Sequence, residues 1–117
     1  MRATIGITAG DPAGIGLEVV LKSISSVLSS ARWVLFTDRE IFERNAGRFP
    51  PGVESRWIDS LNDITDDAFL FLRDLSGDTS SIEWGKLSPA AGARALAYLR
   101  TGSDQAVSGK KIGRAHV

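Results

Sequence analysis

The sequence predicts an α/β fold with a mainly parallel sheet covered by helices, and three observations support this prediction. A short apolar run around Ile5 and Ile7 has the length of a strand and is followed by glycines and a helical pattern. Unbroken apolar runs at 33–36 and 69–72 are typical of strands covered on both faces. Because strands alternate with helices through the first half of the chain, we expect βαβ units and a parallel sheet.

The first half also predicts two helices, each following a strand. The first carries apolar residues at helical spacing over 17–28: Leu17, Val20, Leu21, Ile24, Val27 and Leu28. The second is a short helix capped by Thr37-Asp38, which carries Ile41 and Phe42 and ends near Gly47.

The second half predicts two further strands and one helix. We expect strands at 53–58, with Trp57 or Ile58 inward, and at 69–72, separated by a polar loop or single helical turn. The last helix opens with Ser88 as N-cap and Pro89 at its first position, after a loop at 73–83. Small and apolar residues are expected to form its packing side: Ala91, Ala95, Leu96, Leu99 and Ala106.

Composition excludes several classes of function. The 117 residues contain fourteen basic and fourteen acidic side chains, so no charge imbalance indicates a nucleic-acid partner. Without cysteine, neither a disulfide nor a thiolate metal site can form. No apolar run approaches the roughly 20 residues that span a bilayer, and the first strand leaves no room for a signal peptide. We therefore expect a cytoplasmic protein without a membrane partner.

The glycine-rich segment after the first strand is the main candidate for function. Asp11-Pro12-Ala13-Gly14 fits a type I turn, and a helix N-terminus follows. Free backbone N–H groups and the helix dipole make such a loop suited to an anion. The glycine spacing, however, matches neither the dinucleotide fingerprint nor the phosphate loop, so residue chemistry alone leaves a ligand loop and a plain tight turn open.

Two acidic features allow a functional and a structural interpretation. Asp38 follows the second strand, where an acidic residue can bind a ribose, but we favour a helix N-cap because the glycine fingerprint is absent. Four aspartates, namely Asp59, Asp63, Asp66 and Asp67, could hold a hard cation. Their spacing matches no calcium loop, so a solvated loop is favoured.

Two segments resemble a known enzyme family. Ile7 to Glu18, ITAGDPAGIGLE, closely resembles the N-terminus of 4-hydroxythreonine-4-phosphate dehydrogenases, NAD-dependent enzymes of pyridoxal 5'-phosphate synthesis. It is also similar to the shorter glycine loop of isocitrate and isopropylmalate dehydrogenases, which share that fold. Residues 85–92, GKLSPAAG, resemble the same family, and the resemblance covers about residues 3–109. One departure is Leu17, where the family usually has proline.

The resemblance implies a fold and a cofactor. The fold would be part of a three-layer α/β/α isocitrate/isopropylmalate dehydrogenase-like structure, with residues 1–110 as an N-terminal fragment of the dehydrogenase. The cofactor would be NAD, and by resemblance its cleft would be lined by five loop residues: Gly10, Asp11, Gly14, Ile15 and Gly16. Asp11 has an alternative role, in which it only caps the turn or the helix.

The resemblance also implies a divalent metal (Zn, Mg or Co) held by histidines, and a homodimer acting on a small phosphorylated substrate. The intact enzyme would oxidise the 3-hydroxyl of 4-phosphooxy-L-threonine. The family's metal ligands, phosphate ligands and catalytic lysine lie beyond residue 110, so no catalytic or metal residue is assigned. The chain's single histidine, His116, is expected to be solvated rather than a ligand. The fragment itself is therefore expected to be inactive.

Two alternative functions stay open. The alternatives are a paralogous dehydrogenase for another phosphorylated hydroxy acid and a non-catalytic anion-binding α/β domain.

Residues 111–117, KIGRAHV, depart from the family and match one reading frame of a common sequencing adapter. We expect this heptapeptide to be a non-native tail, and no strand is predicted there.

Overall fold

The computed structural model describes residues 3–46, 54–66, 70–107 and 112–116. Within these ranges the chain forms five strands: β1 (Thr4–Thr8), β2 (Arg32–Thr37), β3 (Ser55–Ile58), β4 (Leu70–Asp74) and β5 (Ile112–His116). Three α-helices accompany them: α1 (Gly16–Ser23), α2 (Arg39–Ala46) and α3 (Pro89–Val107). In these ranges no helix is both long enough and apolar enough to cross a bilayer.

The strands form one sheet in the order β3-β4-β2-β1-β5, and every neighbouring pair is parallel. The predicted α/β fold with a parallel sheet is thereby confirmed. Strand β5 is an addition to the four predicted strands, and it pairs with β1 from Thr4↔Ile112 to Thr8↔His116. Strand β5 is held by hydrogen bonds to backbone groups along the open edge of β1. Such pairing needs no apolar side-chain pattern.

Helices cover both faces of the sheet, which confirms the three-layer arrangement. One face carries Ile7, Leu35 and Leu72, which pack with α1 and with Phe42 of α2. The opposite face carries a second buried group, Val34, Phe36, Ile58 and Phe71. Helix α3 lies over this second face. Its Gly102 is so close to the sheet that a Cβ atom there would sit 3.1 Å from Thr8 Cγ2 and 3.7 Å from Phe36.

The first helix is shorter than predicted. Helix α1 ends at Ser23, and two short 3₁₀ turns follow, at Ile24–Ser26 and Leu28–Ser30. Serine hydroxyls compete with the helical backbone here, since Ser26 Oγ donates to the Ser23 carbonyl (2.9 Å) and Ser30 Oγ donates to the Val27 carbonyl (2.6 Å). The prediction of one helix extending to Leu28 was therefore wrong at its C-terminal end.

Helix α3 begins as predicted, and its predicted packing side is confirmed at Ala91 but not at Leu96 and Leu99. Ser88 Oγ accepts a hydrogen bond from the Ala91 N–H at 3.1 Å, which confirms the N-cap. Ala91 and Tyr98 are buried, whereas Leu96 and Leu99, predicted on the packing side, are exposed. The Tyr98 hydroxyl donates a hydrogen bond to a buried carboxylate, described below. The Ala106 side chain lies outside the described part.

The segment from β3 to β4 agrees with its prediction where it is described. Ile58 is buried against the second face, and Trp57 packs against the first. Ser60 caps a single 3₁₀ turn, Leu61–Asp63, through a reciprocal pair of side-chain bonds with the turn. The predicted strand residues 53 and 69, and Asp67 of the acidic set, lie outside the described residues.

Candidate functional site

The glycine-rich loop connects the carboxyl end of β1 to the first turn of α1. The Asp11 carbonyl accepts a hydrogen bond from the Gly14 N–H at 2.9 Å, and Asp11 Oδ1 accepts one from the Ala13 N–H at 2.7 Å. The predicted tight turn is thus present, and Asp11 caps it. The same aspartate lines the cavity beside the loop, so capping and lining are compatible.

Two glycines in the loop meet specific backbone requirements. Gly10 has a φ of 72°, in the left-handed region that glycine adopts without steric cost. A Cβ atom on Gly16 would lie 1.7 Å from the Ala9 carbonyl oxygen, so only glycine lets α1 start this close to the end of β1. These two residues shape the loop, whereas Gly14 and Ile15 line the cavity.

The N-terminus of α1 opens beside this cavity. Ile15 occupies the N-cap position without a side-chain hydrogen bond to the first turn, and its side chain is 66% exposed. Leu17, where the family usually has proline, is buried in the cluster that α1 forms with the first face of the sheet. A helix N-terminus without a side-chain cap presents backbone N–H groups and the positive end of its dipole, which favours an anionic group.

A second segment, residues 84–87, forms the opposite wall of the cavity. The Gly85 N–H donates to the Ala13 carbonyl at 2.6 Å, and the Trp84 indole N–H donates to the Gly14 carbonyl at 3.1 Å. The cavity between the two segments measures about 340 Å³ and is lined by Asp11, Ala13, Gly14, Ile15, Trp84, Gly85, Lys86 and Leu87. Residues 85–92 resemble a known family, but the sequence predicts no role for this wall, since no local pattern pairs residues seventy positions apart.

Asp38 lies at the carboxyl end of β2, in a buried network rather than in this cavity. Its carbonyl accepts the Phe42 N–H at 3.0 Å, so it does occupy the N-cap position of α2. Its carboxylate instead binds Arg94 in two places, Nε to Oδ2 at 2.7 Å and Nη2 to Oδ1 at 2.9 Å. Tyr98 and the Gly77 N–H also donate to it, at 2.7 and 2.9 Å.

The prediction that the Asp38 side chain caps α2 is thereby corrected. Asp74 Oδ1 accepts the Arg39 N–H at 2.9 Å in the first turn, while the Asp38 carboxylate turns inward. The ribose interpretation finds no support either, because both carboxylate oxygens already accept two hydrogen bonds each. Sequence could not reveal this role, since its partners lie about forty to sixty residues further along the chain.

Electrostatics in this network favour the ionised carboxylate. Burial by itself raises the pKa of Asp38, but the hydrogen bonds from Arg94, Gly77 and Tyr98 outweigh it, and the pKa lies below its usual value. Burial and the neighbouring Asp38 carboxylate raise the pKa of Tyr98, so its hydroxyl stays protonated and donates. The network therefore ties α3 to the ends of β2 and β4, with both Asp38 carboxylate oxygens engaged by these hydrogen bonds.

Among the described residues, no group of three or more His, Asp or Glu side chains is arranged to hold a metal ion. Within the acidic set, Asp63 caps the turn after β3, and Asp66 Oδ1 lies 3.7 Å from Arg32 Nη1. His116 belongs to β5, whose backbone pairs with β1. The metal that the family resemblance implies is thus given no ligand in the described part of the chain.

Comparison with known proteins places the chain beside two kinds of dehydrogenase, although no protein-family model matches it. A relative from Cutibacterium acnes, provisionally named D-threonate 4-phosphate dehydrogenase, is 30% identical over 114 residues, covering 93% of this chain and 33% of the relative. A 4-hydroxythreonine-4-phosphate dehydrogenase from a Hydrogenobaculum species is 29% identical over 109 residues, covering 92% of this chain and 33% of that protein.

Solved structures agree with these relatives. The 4-hydroxythreonine-4-phosphate dehydrogenase of Burkholderia phymatum superposes with a TM-score of 0.82 at 30% identity, covering 97% of this chain and 36% of that protein. The Klebsiella pneumoniae enzyme of the same name gives a TM-score of 0.82 at 29% identity, with 98% and 37% covered. The chain therefore spans about a third of the length of the proteins it matches.

Proposed function

Because this chain belongs to the 4-hydroxythreonine-4-phosphate dehydrogenase family, we propose that it is the N-terminal part of an NAD-dependent dehydrogenase acting on 4-phosphooxy-L-threonine. The full-length enzyme oxidises the substrate's 3-hydroxyl and passes hydride to NAD, and the resulting β-keto acid loses CO2. The observation that carries the proposal is the fold match. The Burkholderia phymatum enzyme superposes on 97% of this chain with a TM-score of 0.82. The fragment alone is catalytically inactive.

A second candidate is oxidation of D-threonate 4-phosphate, another phosphorylated hydroxy acid. The observation that favours it is that relatives named for the two substrates match this chain almost equally, at 30% and 29% identity. Both reactions need a nicotinamide cofactor to accept hydride, so they make the same demand on the glycine loop. The two substrates differ in the groups around the reacting carbon, which the described residues do not distinguish.

Within this function, we assign the glycine loop to cofactor binding, through Gly10, Asp11, Gly14, Ile15 and Gly16. The support is threefold: the cavity lies beside the loop, the first turn of α1 has no side-chain cap, and the N-cap side chain is exposed. NAD supplies the hydride acceptor when bound. The chain's own contribution is to hold and orient it, with Gly10 and Gly16 setting the backbone path and Asp11 closing the turn.

The remaining family properties are proposed for the full-length protein. A divalent metal, Zn, Mg or Co, would be held by residues beyond those described, because the described part offers no suitable cluster. We assign no step to the metal here. The homodimer and the cytoplasmic location follow from the family resemblance in the same way.

Residues 1–110 are proposed as the dehydrogenase fragment, and 111–117 as a non-native tail derived from a sequencing adapter. The support is the departure of KIGRAHV from the family pattern. Independent reads of the source locus test this directly. If they also encode Ile112 to Val117, the tail is native and the proposal for it is withdrawn.

Expression of the complete coding sequence at that locus tests the function. The expected result is NADH formation, followed by absorbance, with 4-phosphooxy-L-threonine as substrate and a divalent metal present. A higher kcat/KM with D-threonate 4-phosphate would select the second candidate. A folded protein that reduces NAD with neither substrate would contradict both.

A further inference from the structure

Two hydrogen bonds fasten the 84–87 segment to the glycine loop at adjacent peptide groups. Gly85 N–H reaches the Ala13 carbonyl at 2.6 Å, and the Trp84 indole N–H reaches the Gly14 carbonyl at 3.1 Å. Gly85 has a φ of 84°, a conformation that brings its N–H to this position and that other residues rarely adopt. The loop is therefore held by a specific contact with a distant segment in addition to its own turn bonds.

The Trp84 contact acts on the peptide group that leads into α1. Because a trans peptide is planar, its C=O and N–H point in opposite directions, and fixing the Gly14 carbonyl also fixes the direction of the Ile15 N–H. A hydrogen bond accepted by that carbonyl also polarises the peptide and strengthens its N–H as a donor. Trp84 thereby affects both the orientation and the donor strength at the N-cap of α1.

This contact contributes little to the core. Trp84 is 41% exposed and Leu87 is 97% exposed, so neither residue belongs to the buried clusters. A half-exposed indole that reaches a carbonyl seventy residues away has more effect on loop geometry than on overall stability.

We propose that Trp84 is a positioning residue for the glycine loop, holding the Gly14–Ile15 peptide, and with it the entry into α1, in one orientation beside the cavity that takes the cofactor. The proposal rests on the cofactor role assigned above. It extends the site from five loop residues to a second wall, in which the Trp84 indole acts through Gly14 rather than by touching the reacting atoms.

Substitution of Trp84 by Phe in the 117-residue chain tests the proposal, because Phe keeps an aromatic ring and removes the N–H. The amide signal of Ile15, which follows the affected carbonyl, is expected to shift in the nitrogen–proton NMR spectrum without ligand. NAD binding, measured by titration, is expected to weaken about three- to tenfold, as the loss of one net hydrogen bond implies. The melting temperature is expected to fall by only a few degrees, and by a similar amount in the control variant below, because each variant loses one intramolecular hydrogen bond.

Trp33→Phe is the matched control. The Trp33 indole N–H also donates to a backbone carbonyl, that of Val27 at 3.0 Å, at a different site in the fold. It should leave the Ile15 amide and the NAD affinity as in the wild type. If Trp84→Phe unfolds the chain, Gly85→Ala provides a second variant, since it strains the positive φ without meeting any atom within 4 Å. It should weaken NAD binding in the same direction.

The outcomes separate this proposal from the proposed function. If Trp84→Phe leaves both the Ile15 amide and NAD affinity unchanged, Trp84 is not a positioning residue, although the cofactor role of the loop stands. If the wild type shows no saturable NAD binding but the Ile15 amide still shifts in Trp84→Phe, the positioning of the loop stands and its cofactor role fails.

Discussion

At the scale of single residues, Asp38 is the position where burial and charge conflict most. Its carboxylate is almost fully buried, which by itself disfavours ionisation. Arg94, Tyr98 and the Gly77 N–H together compensate for that burial. Gly77 is needed for close approach, since a Cβ atom there would lie 2.0 Å from Arg94 Cζ. Asp38 is thus the common acceptor of the network, and removing its carboxylate takes this partner from Arg94, Tyr98 and the Gly77 N–H together.

Asp38→Asn is expected to destabilise the fold by about 3 kcal/mol, because it leaves the Arg94 guanidinium partly buried without its counter-charge. The free energy of unfolding, measured by urea titration, checks this. Asp78→Asn is the control, since Asp78 bonds only locally to Ser80 on the surface and should change stability little. Equal stability of the two variants would contradict the role assigned to the network.

The network also predicts how stability depends on pH. The folded-state pKa of Asp38 lies below the unfolded value of about 4, so its stabilisation is present above pH 4 and is lost as the pH falls through the folded value. The pKa of Tyr98 is raised in the fold, so its contribution is present below about pH 10 and declines above it.

Urea titrations across the pH range, on the wild type and on Asp38→Asn, check this dependence. The acid-side loss of stability should be smaller in Asp38→Asn, because the variant has no carboxylate to protonate at this position. An identical acid-side slope in both proteins would show that other carboxylates cause the loss.

At the scale of elements, glycines decide where a helix can begin. Gly16→Ala is expected to destabilise the fold by about 2 kcal/mol or more, because the new Cβ would overlap the Ala9 carbonyl at 1.7 Å. Gly92→Ala in α3 is the matched control, with no atom within 4 Å of the new Cβ. It should stabilise the chain by about 0.5–1 kcal/mol through its better helix propensity. Thermal melts of the two variants should shift in opposite directions.

Helices also show where a local pattern stops being informative. Ser88-Pro89 marked the start of α3 correctly, because capping depends on residues next to each other in sequence. The buried face of α3 was predicted correctly at Ala91 but wrongly at Leu96 and Leu99, which are exposed, whereas Tyr98 is buried and bonds to Asp38. The burial of Tyr98 thus involves a partner sixty residues away, which the local pattern does not show.

At the scale of the whole molecule, β5 covers the edge of β1 by backbone pairing along five residues. Deleting residues 112–117 moves the open edge of the sheet from β5 to the more apolar strand β1. We expect self-association to increase, because an unpaired apolar strand edge is a template for another chain. Light scattering on the shortened and complete chains checks this. A shortened chain that stays monomeric at the same concentration would show that β5 does not protect the edge.

Sequence alone determined the parallel α/β class, the four strands from β1 to β4, the tight turn at Asp11–Gly14 and the family resemblance. These follow from short-range properties, namely apolar periodicity, turn chemistry and capping, which operate between residues a few positions apart. The comparisons agree with this resemblance over a third of the relatives' length, and the cofactor role of the glycine loop stays a prediction.

Only the tertiary structure decided the hydrogen-bond partners of Asp38 and Trp84, the burial of Tyr98 on α3 and the pairing of β5 with β1. Each depends on groups far apart in the chain: Asp38 with Arg94, Trp84 with Gly14, and β1 with β5. Such pairings arise when the sheet brings distant segments together, where burial makes an unpartnered polar group costly and so selects specific partners. No local pattern carries that information.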